Sequence, residues 1–322
     1  MYLNKKIAVI VPCYNEARQI ISVLASMPDF VDTIYVVDDC SIDETSELVI
    51  KFMKDDSRVE ILQHEVNKGV GGAILTGYKI AYKYGHEVVA VMAGDGQMDP
   101  VDLEGILRPV AKGFSDYSKG NRFKYNGGIS KIPKLRFAGN FILSVLTKFI
   151  TGYWHVSDSQ TGYTAINRKA LSAIMKFGIY NSYGCPNDIL VSLNIAELRV
   201  AEVPINPLYD VGEVSSMRIP RVILPIGTLF VRLFIKRMFY KYVVSTSHPL
   251  VLSYALSFVF GILSILLFNY CLYFTIQNGV VPKPSLIVSS VSMVLAIQFL
   301  LSSMEMDFSY NRHLCITDFD NE

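Results

Sequence analysis

Three apolar runs in this chain end in carboxylates, an ending that suits a hard cation or the phosphates of a nucleotide. Val88-Val89-Ala90-Val91-Met92 opens into Ala93-Gly94-Asp95-Gly96-Gln97-Met98-Asp99-Pro100, with a glycine on either side of Asp95. Two earlier runs end at Pro12-Cys13-Tyr14-Asn15-Glu16 and at Asp38-Asp39-Cys40-Ser41. Ligands of open α/β sheets bind beyond the carboxyl ends of the strands. A small divalent ion there takes one or two carboxylates and completes its shell with substrate phosphates and water. The three polar strand ends are therefore expected to line one crevice. The histidines at 64, 86, 155, 248 and 313 show no metal-ligand spacing, so a metallohydrolase is not indicated.

Such turns need a sheet behind them. From Ile7 to about Arg122, β-rich runs at Ile7–Val11, Thr33–Val37, Val59–Gln63 and Val88–Met92 alternate with helical patterns. That alternation predicts βαβ units and a mainly parallel sheet. Between the third and fourth runs lies Asn67-Lys68-Gly69-Val70-Gly71-Gly72-Ala73, whose glycines permit close backbone approach at a helix start. It is not a Walker loop, because the lysine precedes the glycines. No Gly-x-Gly-x-x-Gly follows the first strand, which argues against a nicotinamide dehydrogenase. The stretch from Asp116 to Pro207 is less regular, with a helix-like run from Leu135 to Thr151, and reads as completing the same domain. Asp43 and the pair Asn187-Asp188 read as helix caps.

The composition is apolar, with 51% hydrophobic and 18% charged residues, and the excess lies near the C-terminus. Leu250 to Thr275 and Ser285 to Met304 contain no Asp, Glu, Lys or Arg, and each can cross a bilayer core of about 30 Å as a helix. Before them, Arg232, Lys236, Arg237 and Lys241 interleave with Phe230, Leu233, Phe234, Phe239 and Tyr240, the pattern of an amphipathic helix on a membrane surface. The loop between the spans holds only Lys283, so the charge bias places both termini inside. Met1 to Lys6 leads into a strand and not a secretory segment, which keeps the front of the chain in the cytosol. The expected organisation is a catalytic domain over 1–228, a juxtamembrane helix over 229–248, a transmembrane hairpin over 249–304 and a cytoplasmic tail over 305–322. Five cysteines without paired spacing fit a reducing compartment. A net charge of +1 leaves no footprint for nucleic acid. Gly261, Ser264, Ser289 and Ser292 suggest that the spans could pair with copies of themselves as a homo-oligomer.

In their order, these motifs resemble the family-2 glycosyltransferases of the GT-A fold, a Rossmann-like α/β architecture. They are most similar to the polyprenyl-phosphate sugar synthases, such as dolichol-phosphate mannose synthases and bacterial polyprenyl-phosphate glycosyltransferases. The resemblance covers residues 5 to 220, and the two-span tail is similar to that of the bacterial members. It implies inverting transfer of a hexose from a UDP- or GDP-sugar to a polyprenyl phosphate, with Mg²⁺ or Mn²⁺. Under it, Pro12, Tyr14, Asn15 and Glu16 lie against the nucleoside, Asp38 and Asp39 read base and ribose, and Lys68 and Gly69 form a turn beside the donor. Asp95 and Gln97 fall at the end of the family's Asp-x-Asp motif and would hold the metal, with Asp95 also facing the donor. Ala93 stands where the first Asp of that motif would be.

Arg122 and Arg136 correspond to the arginines that hold lipid and donor phosphates, a task suited to the planar guanidinium fork. Ser216 and Arg218 resemble a polar pair facing the acceptor phosphate. Asp158, ahead of Gln160-Thr161-Gly162-Tyr163, matches the family's acidic position, and two roles are open to it. A sugar-hydroxyl acceptor needs it as general base. A lipid phosphate, with a second pKa of about 6, is already a nucleophile and needs it only to organise the site. The alternatives to a polyprenyl-phosphate transferase are addition to a hydroxyl of a lipid-diphosphate-linked saccharide, or a non-catalytic membrane scaffold of the same fold.

Overall fold

A computed structural model describes residues 1–125, 134–182, 184–206, 208 and 219–317, with 134–142 and 219–224 followed as helical backbone only. The chain forms two units, Met1–Ile235 with His313–Glu322, and Lys236–Arg312.

In the first unit the β-branched runs are strands. Strands β1 (Ile7–Cys13), β2 (Thr33–Asp38), β3 (Val59–Gln63) and β4 (Val88–Val91) are parallel. The central β1 and β4 are buried throughout because both faces of the sheet are covered there, whereas the edge strand β3 carries the exposed Glu60 and Gln63. The eight-stranded sheet has the order β3-β2-β1-β4-β6-β5-β7-β8. Strand β6 (Thr164–Asn167) runs antiparallel to both β4 and β5 (Tyr117–Asn121), while β7 (Val200–Pro204) and β8 (Cys315–Ile316) are parallel to β5 and β7 respectively. The expected mainly parallel sheet is thus present, with one reversed strand within it.

Alternation along β1 builds two cores. Ile7, Val9 and Val11 pack with residues of helices α1 (Ile20–Ala25), α2 (Thr45–Phe52) and α4 (Leu103–Ala111) on one face. Ala8 and Ile10 pack with α3 (Val70–Lys83), α6 (Arg168–Phe177) and α7 (Cys185–Ile195) on the other. Helix α3 lies so close to β1 that a Cβ on Gly77 would stand 2.5 Å from Ile10 Cγ2. Helix α5 (Lys134–Thr151) joins α7 in a third cluster. There Ile150 and Val191 receive Leu229, Phe230 and Leu233 from α8 (Ile219–Arg237), and Phe149 stacks on Phe234 with centroids 5.1 Å apart. Val231, Arg232 and Ile235 of α8 are exposed, so one side of the helix is buried and the other, largely apolar with Arg232 on it, is open.

The second unit continues through a π-helical stretch, Met238–Ser245, into α9 (Leu250–Asn278) and α10 (Lys283–Asn311). Both long helices are sufficiently long and apolar to cross a membrane. Within this chain they do not form a buried core: Phe258, Ile265 and Val294 are 70%, 59% and 66% exposed. Helix α10 passes position 304, and the segment read as a tail returns to the sheet as β8.

The small residues read as an oligomer surface have a different use. Ser264 and Ser289 exchange Oγ–H to C=O hydrogen bonds at 2.9 and 3.0 Å, Ser292 is buried, and Gly261 opens toward Ala296. They seat α9 on α10 within one chain. Two of the four cations read as interfacial are also turned inward, because α10 supplies a carboxylate to Arg237 and an amide oxygen to Lys241. Arg237 grips Asp307 through Nη1 to Oδ1 at 2.8 Å and Nη2 to Oδ2 at 3.0 Å. Tyr242 donates to Asp307 at 2.6 Å, and Lys241 donates to Asn311 at 2.8 Å.

Candidate active site

The carboxyl ends of β1, β2 and β4 are tied together by the hydrogen bonds of their own turns. Gly94 N–H donates to Pro12 O at 3.1 Å and Asp39 N–H to Cys13 O at 3.0 Å. Asn15, with φ of 58°, adopts the left-handed conformation that asparagine tolerates. Its N–H donates to Ser41 Oγ, and its Oδ1 accepts from Ile42 N–H, both at 2.9 Å. Glu16 N–H donates to Thr45 Oγ1 at 2.8 Å, and Tyr14 is exposed at the lip. Asp43, read as a helix cap, instead lies one residue before the N-cap Glu44 of α2 and accepts from Thr45 N–H at 3.0 Å. Burial opposes its ionisation, but the Thr45 and Ala17 hydrogen bonds prevail and lower its pKa.

Asp38 and Asp39 are both buried, and their partners differ. Asp38 accepts from the hydroxyls of Ser41 and Ser46 and from Ser41 N–H at 3.1 Å. Asp39 accepts from Lys68 N–H at 2.8 Å and faces His64 Nδ1 at 2.7 Å, while His64 Nε2 meets Thr76 Oγ1 at 2.9 Å. Sequence reasoning passed over His64. The parallel register pairs Asp38 with Gln63, which brings the next residues, Asp39 and His64, side by side beyond the strand ends.

The glycines after Lys68 answer a need of the chain itself. Gly69 has φ of 75°, and a Cβ there would stand 2.4 Å from Asn181 O. A Cβ on Gly71 would stand 2.0 Å from Tyr180 O, and Gly71 N–H donates to Asn181 O at 2.9 Å. The close approach read from the sequence is thus made by the 180–181 backbone. Asn187 and Asp188, read as caps, instead lie in the first turn of α7. Asn187 accepts from Thr147, and Asp188 from Tyr180 N–H at 2.8 Å, so both brace neighbouring segments.

Asp95 follows β4 and accepts from Gln97 N–H at 3.0 Å. Burial raises its carboxyl above the ordinary range, with only backbone hydrogen bonds pulling it back. No guanidinium or ammonium pairs with it among the described residues. A desolvated carboxylate without a protein cation fits a divalent ion. No cluster of three His, Cys, Asp or Glu side chains exists among the described residues, so beyond Asp95 and Gln97 the ligands would come from substrate oxygens and water.

Beyond β5 lies a second polar centre. Arg122 holds Asp158 as a fork, with Nε to Oδ2 at 2.7 Å and Nη2 to Oδ1 at 2.9 Å, and Arg122 N–H adds a third bond at 3.1 Å. Burial opposes ionisation of Asp158, but the Arg122 hydrogen bonds and charge, with Lys119, hold its carboxyl below the usual range. The buried Lys119 amine donates to Asp158 O, and desolvation lowers its pKa to about 8. Glu202, buried on β7, accepts from Ser157 N–H at 2.8 Å, Asp158 N–H at 3.1 Å and Asn121 Nδ2 at 2.6 Å. Sequence reasoning missed Lys119, Asn121 and Glu202. For Glu202 the available signal was a lone charge within the apolar run Val200–Pro204. His155 is a packing residue, with Nε2 on Val200 O at 2.9 Å and its pKa pushed down to about 4 by burial. Arg136 falls on α5 with its side chain outside the described residues, as do Ser216 and Arg218 entirely.

This architecture is shared with solved structures of glucosyl-3-phosphoglycerate synthase from Mycobacterium tuberculosis. Its complex with UDP gives a TM-score of 0.53 at 18% identity, and its complex with Mn²⁺, UDP-glucose and glycerol 3-phosphate 0.51 at 17%. Each match covers 73% of this chain and 80% of the other. The fold is GT-A. Residues 8–175 match the glycosyl transferase family 2, and the chain belongs to that family of glycosyltransferases. Among its relatives, the UDP-N-acetylglucosamine–dolichyl-phosphate N-acetylglucosaminyltransferase of Methanococcus voltae is 31% identical over 223 residues, covering 64% of this chain and 87% of the relative. The undecaprenyl-phosphate mannosyltransferase of Micrococcus luteus is 28% identical over 203 residues, covering 62% and 82%.

Proposed function

We propose that this glycosyltransferase moves a hexose from a UDP- or GDP-sugar onto a polyprenyl phosphate, with inversion, at the cytoplasmic face of a membrane. The observation that carries the choice of acceptor is the state of Asp158. A carboxylate held by a guanidinium fork and kept below its usual pKa is a poor general base. A lipid phosphate, largely ionised near neutrality, needs no base. The relatives whose names specify dolichyl or undecaprenyl phosphate support the same acceptor.

In this reading the strand-end turns bind the donor. Pro12, Tyr14, Asn15 and Glu16 lie along the nucleoside, Asp38 and Asp39 meet base and ribose, and Lys68 and Gly69 flank the diphosphate. Asp95, with Gln97, would hold Mg²⁺ or Mn²⁺, which when bound offsets the charge on the departing diphosphate. Arg122, Arg136, Ser216 and Arg218 orient the acceptor phosphate for in-line attack, with Asp158 fixing Arg122. Residues 1–228 form the catalytic domain, 229–248 the interfacial segment and 249–304 the membrane hairpin. Both termini face the cytosol.

The test is a micelle assay offering radiolabelled UDP- and GDP-hexoses to undecaprenyl phosphate with Mg²⁺ or Mn²⁺. Label in an acid-labile lipid monophosphate, lost in Asp95→Ala, is the expected result. Label found only when a lipid-linked saccharide is supplied would give Asp158 the role of base and overturn the proposal.

A further inference from the structure

We infer that Glu202 is a positioning residue for sugar transfer, a buried carboxylate that fixes the Asp158 loop and the Arg122 turn to each other. The inference rests on the reading of Arg122 and Asp158 given above. Strand pairing sets Lys119 opposite Glu202 and Asn121 opposite Pro204, so residues of β5 and β7 meet beside the Arg122 turn. Glu202 Oε1 takes two successive backbone N–H groups, Ser157 at 2.8 Å and Asp158 at 3.1 Å. Its Oε2 takes Asn121 Nδ2 at 2.6 Å and faces Lys124 Nζ at 3.5 Å. Asn121 Oδ1 in turn accepts from Phe123 N–H at 2.8 Å and Lys124 N–H at 3.3 Å, the turn that carries Arg122. Glu202 therefore joins two segments 36 residues apart in sequence, whose side chains form the Arg122–Asp158 fork.

The donor and acceptor pattern explains why the position needs a carboxylate. With Asn121 Oδ1 occupied by two N–H groups, its amide can present only N–H to residue 202. Residue 202 must then accept on both oxygens, which an ionised carboxylate does and an amide does not. Glu202→Gln would set an NH₂ against either Asn121 Nδ2 or the 157–158 N–H pair, and one of the two segments would shift. Moving the charge restores the pattern. In Asn121→Asp/Glu202→Gln, the carboxylate now at position 121 accepts from Phe123, Lys124 and the new amide NH₂ at position 202. The carbonyl oxygen of that amide still accepts from Ser157 and Asp158.

The experiment compares the full-length wild type with Glu202→Gln and with Asn121→Asp/Glu202→Gln, measuring nucleotide release, kcat, donor KM and thermal midpoint. We expect Glu202→Gln to lower kcat about 100-fold, as misplacement of positioned groups by about 1 Å does, with donor KM unchanged. The double variant should recover most of that loss. A merely structural role would lower the thermal midpoint without this split between kcat and KM and without rescue. Glu202→Gln turning over like wild type, or a double variant that is as slow as Glu202→Gln or fails to fold, overturns the inference. Rates are read with whichever acceptor the wild type uses. A wild type inactive toward polyprenyl phosphate would thus count against the acceptor reading and not against Glu202.

Discussion

Besides the Arg58–Asp56 pair ahead of β3, the described residues include two Arg–Asp forks of nearly the same geometry in different surroundings. Arg122 and Asp158 meet at 2.7 and 2.9 Å beyond the end of β5, where the arginine side chain keeps 16% of its exposure and the aspartate 1%. Arg237 and Asp307 meet at 2.8 and 3.0 Å in the helical unit, and neither has any exposure. The first is braced by backbone donors and a buried glutamate and retains an edge toward solvent. The second is enclosed by Tyr242 and Asn311. A bidentate arginine is therefore not in itself the sign of a phosphate site. Of the two, only the fork at the strand end keeps an edge open to solvent, whereas the sealed fork ties helices together.

The sharpest way to separate the two is to remove charges singly and in pairs. Arg122→Ala should lower turnover about 10²- to 10³-fold by removing a preorganised donor, and Arg122→Leu/Asp158→Leu should stay as inactive. Arg237→Leu alone should cost about 3–5 kcal/mol by leaving Asp307 buried and uncompensated, while Arg237→Leu/Asp307→Leu should recover most of that stability. Parallel denaturation and turnover measurements check both, and rescue of activity by the Leu pair at 122 and 158 would erase the distinction.

A smaller effect concerns pH. The buried amine of Lys119 has its pKa lowered to about 8, below its unfolded value near 10.5. Below pH 8 both states are protonated and the burial penalty is complete. Between about 8 and 10.5 the unfolded chain binds the extra proton, so this group's contribution to stability rises with pH. The stability of Lys119→Met relative to wild type should fall across that window, as followed by denaturant unfolding. A difference independent of pH would mean that Lys119 titrates normally. The smallest effect belongs to the serine pair. Ser264→Ala and Ser289→Ala should each cost about 0.6 kcal/mol in mixed-micelle unfolding, and larger losses would put the serines on a level with the sealed fork.

The legible part of the fold was the half with uniform strands. β1 to β4 are β-branched runs that can be little else, and their acidic turns follow in order. β5, Tyr117-Ser118-Lys119-Gly120-Asn121, carries a lysine, a glycine and an asparagine and has no strand signal of its own. It is a strand because β6 and β7 complete its ladder and because its lysine finds Asp158 and Glu202. For the same reason the strand-end carboxylates could be named from the sequence while Glu202 could not. Asn121 lies 81 residues from it, and nothing local reveals their pairing. The cations of the juxtamembrane segment were misread in the same way. A helical pattern assigns Arg237 and Lys241 to a surface, but partners 70 residues later take them inside.

Strand β8 gives the molecule an order of assembly. Cys315 and Ile316 pair with Val200 and Ala201, yet α9 and α10 separate the two strands in the chain. Because synthesis proceeds from the N-terminus and domains fold as they emerge, the ribosome delivers the whole apolar hairpin before the outermost rung of the sheet exists. The edge of β7 therefore has no β8 partner until that hairpin has been made.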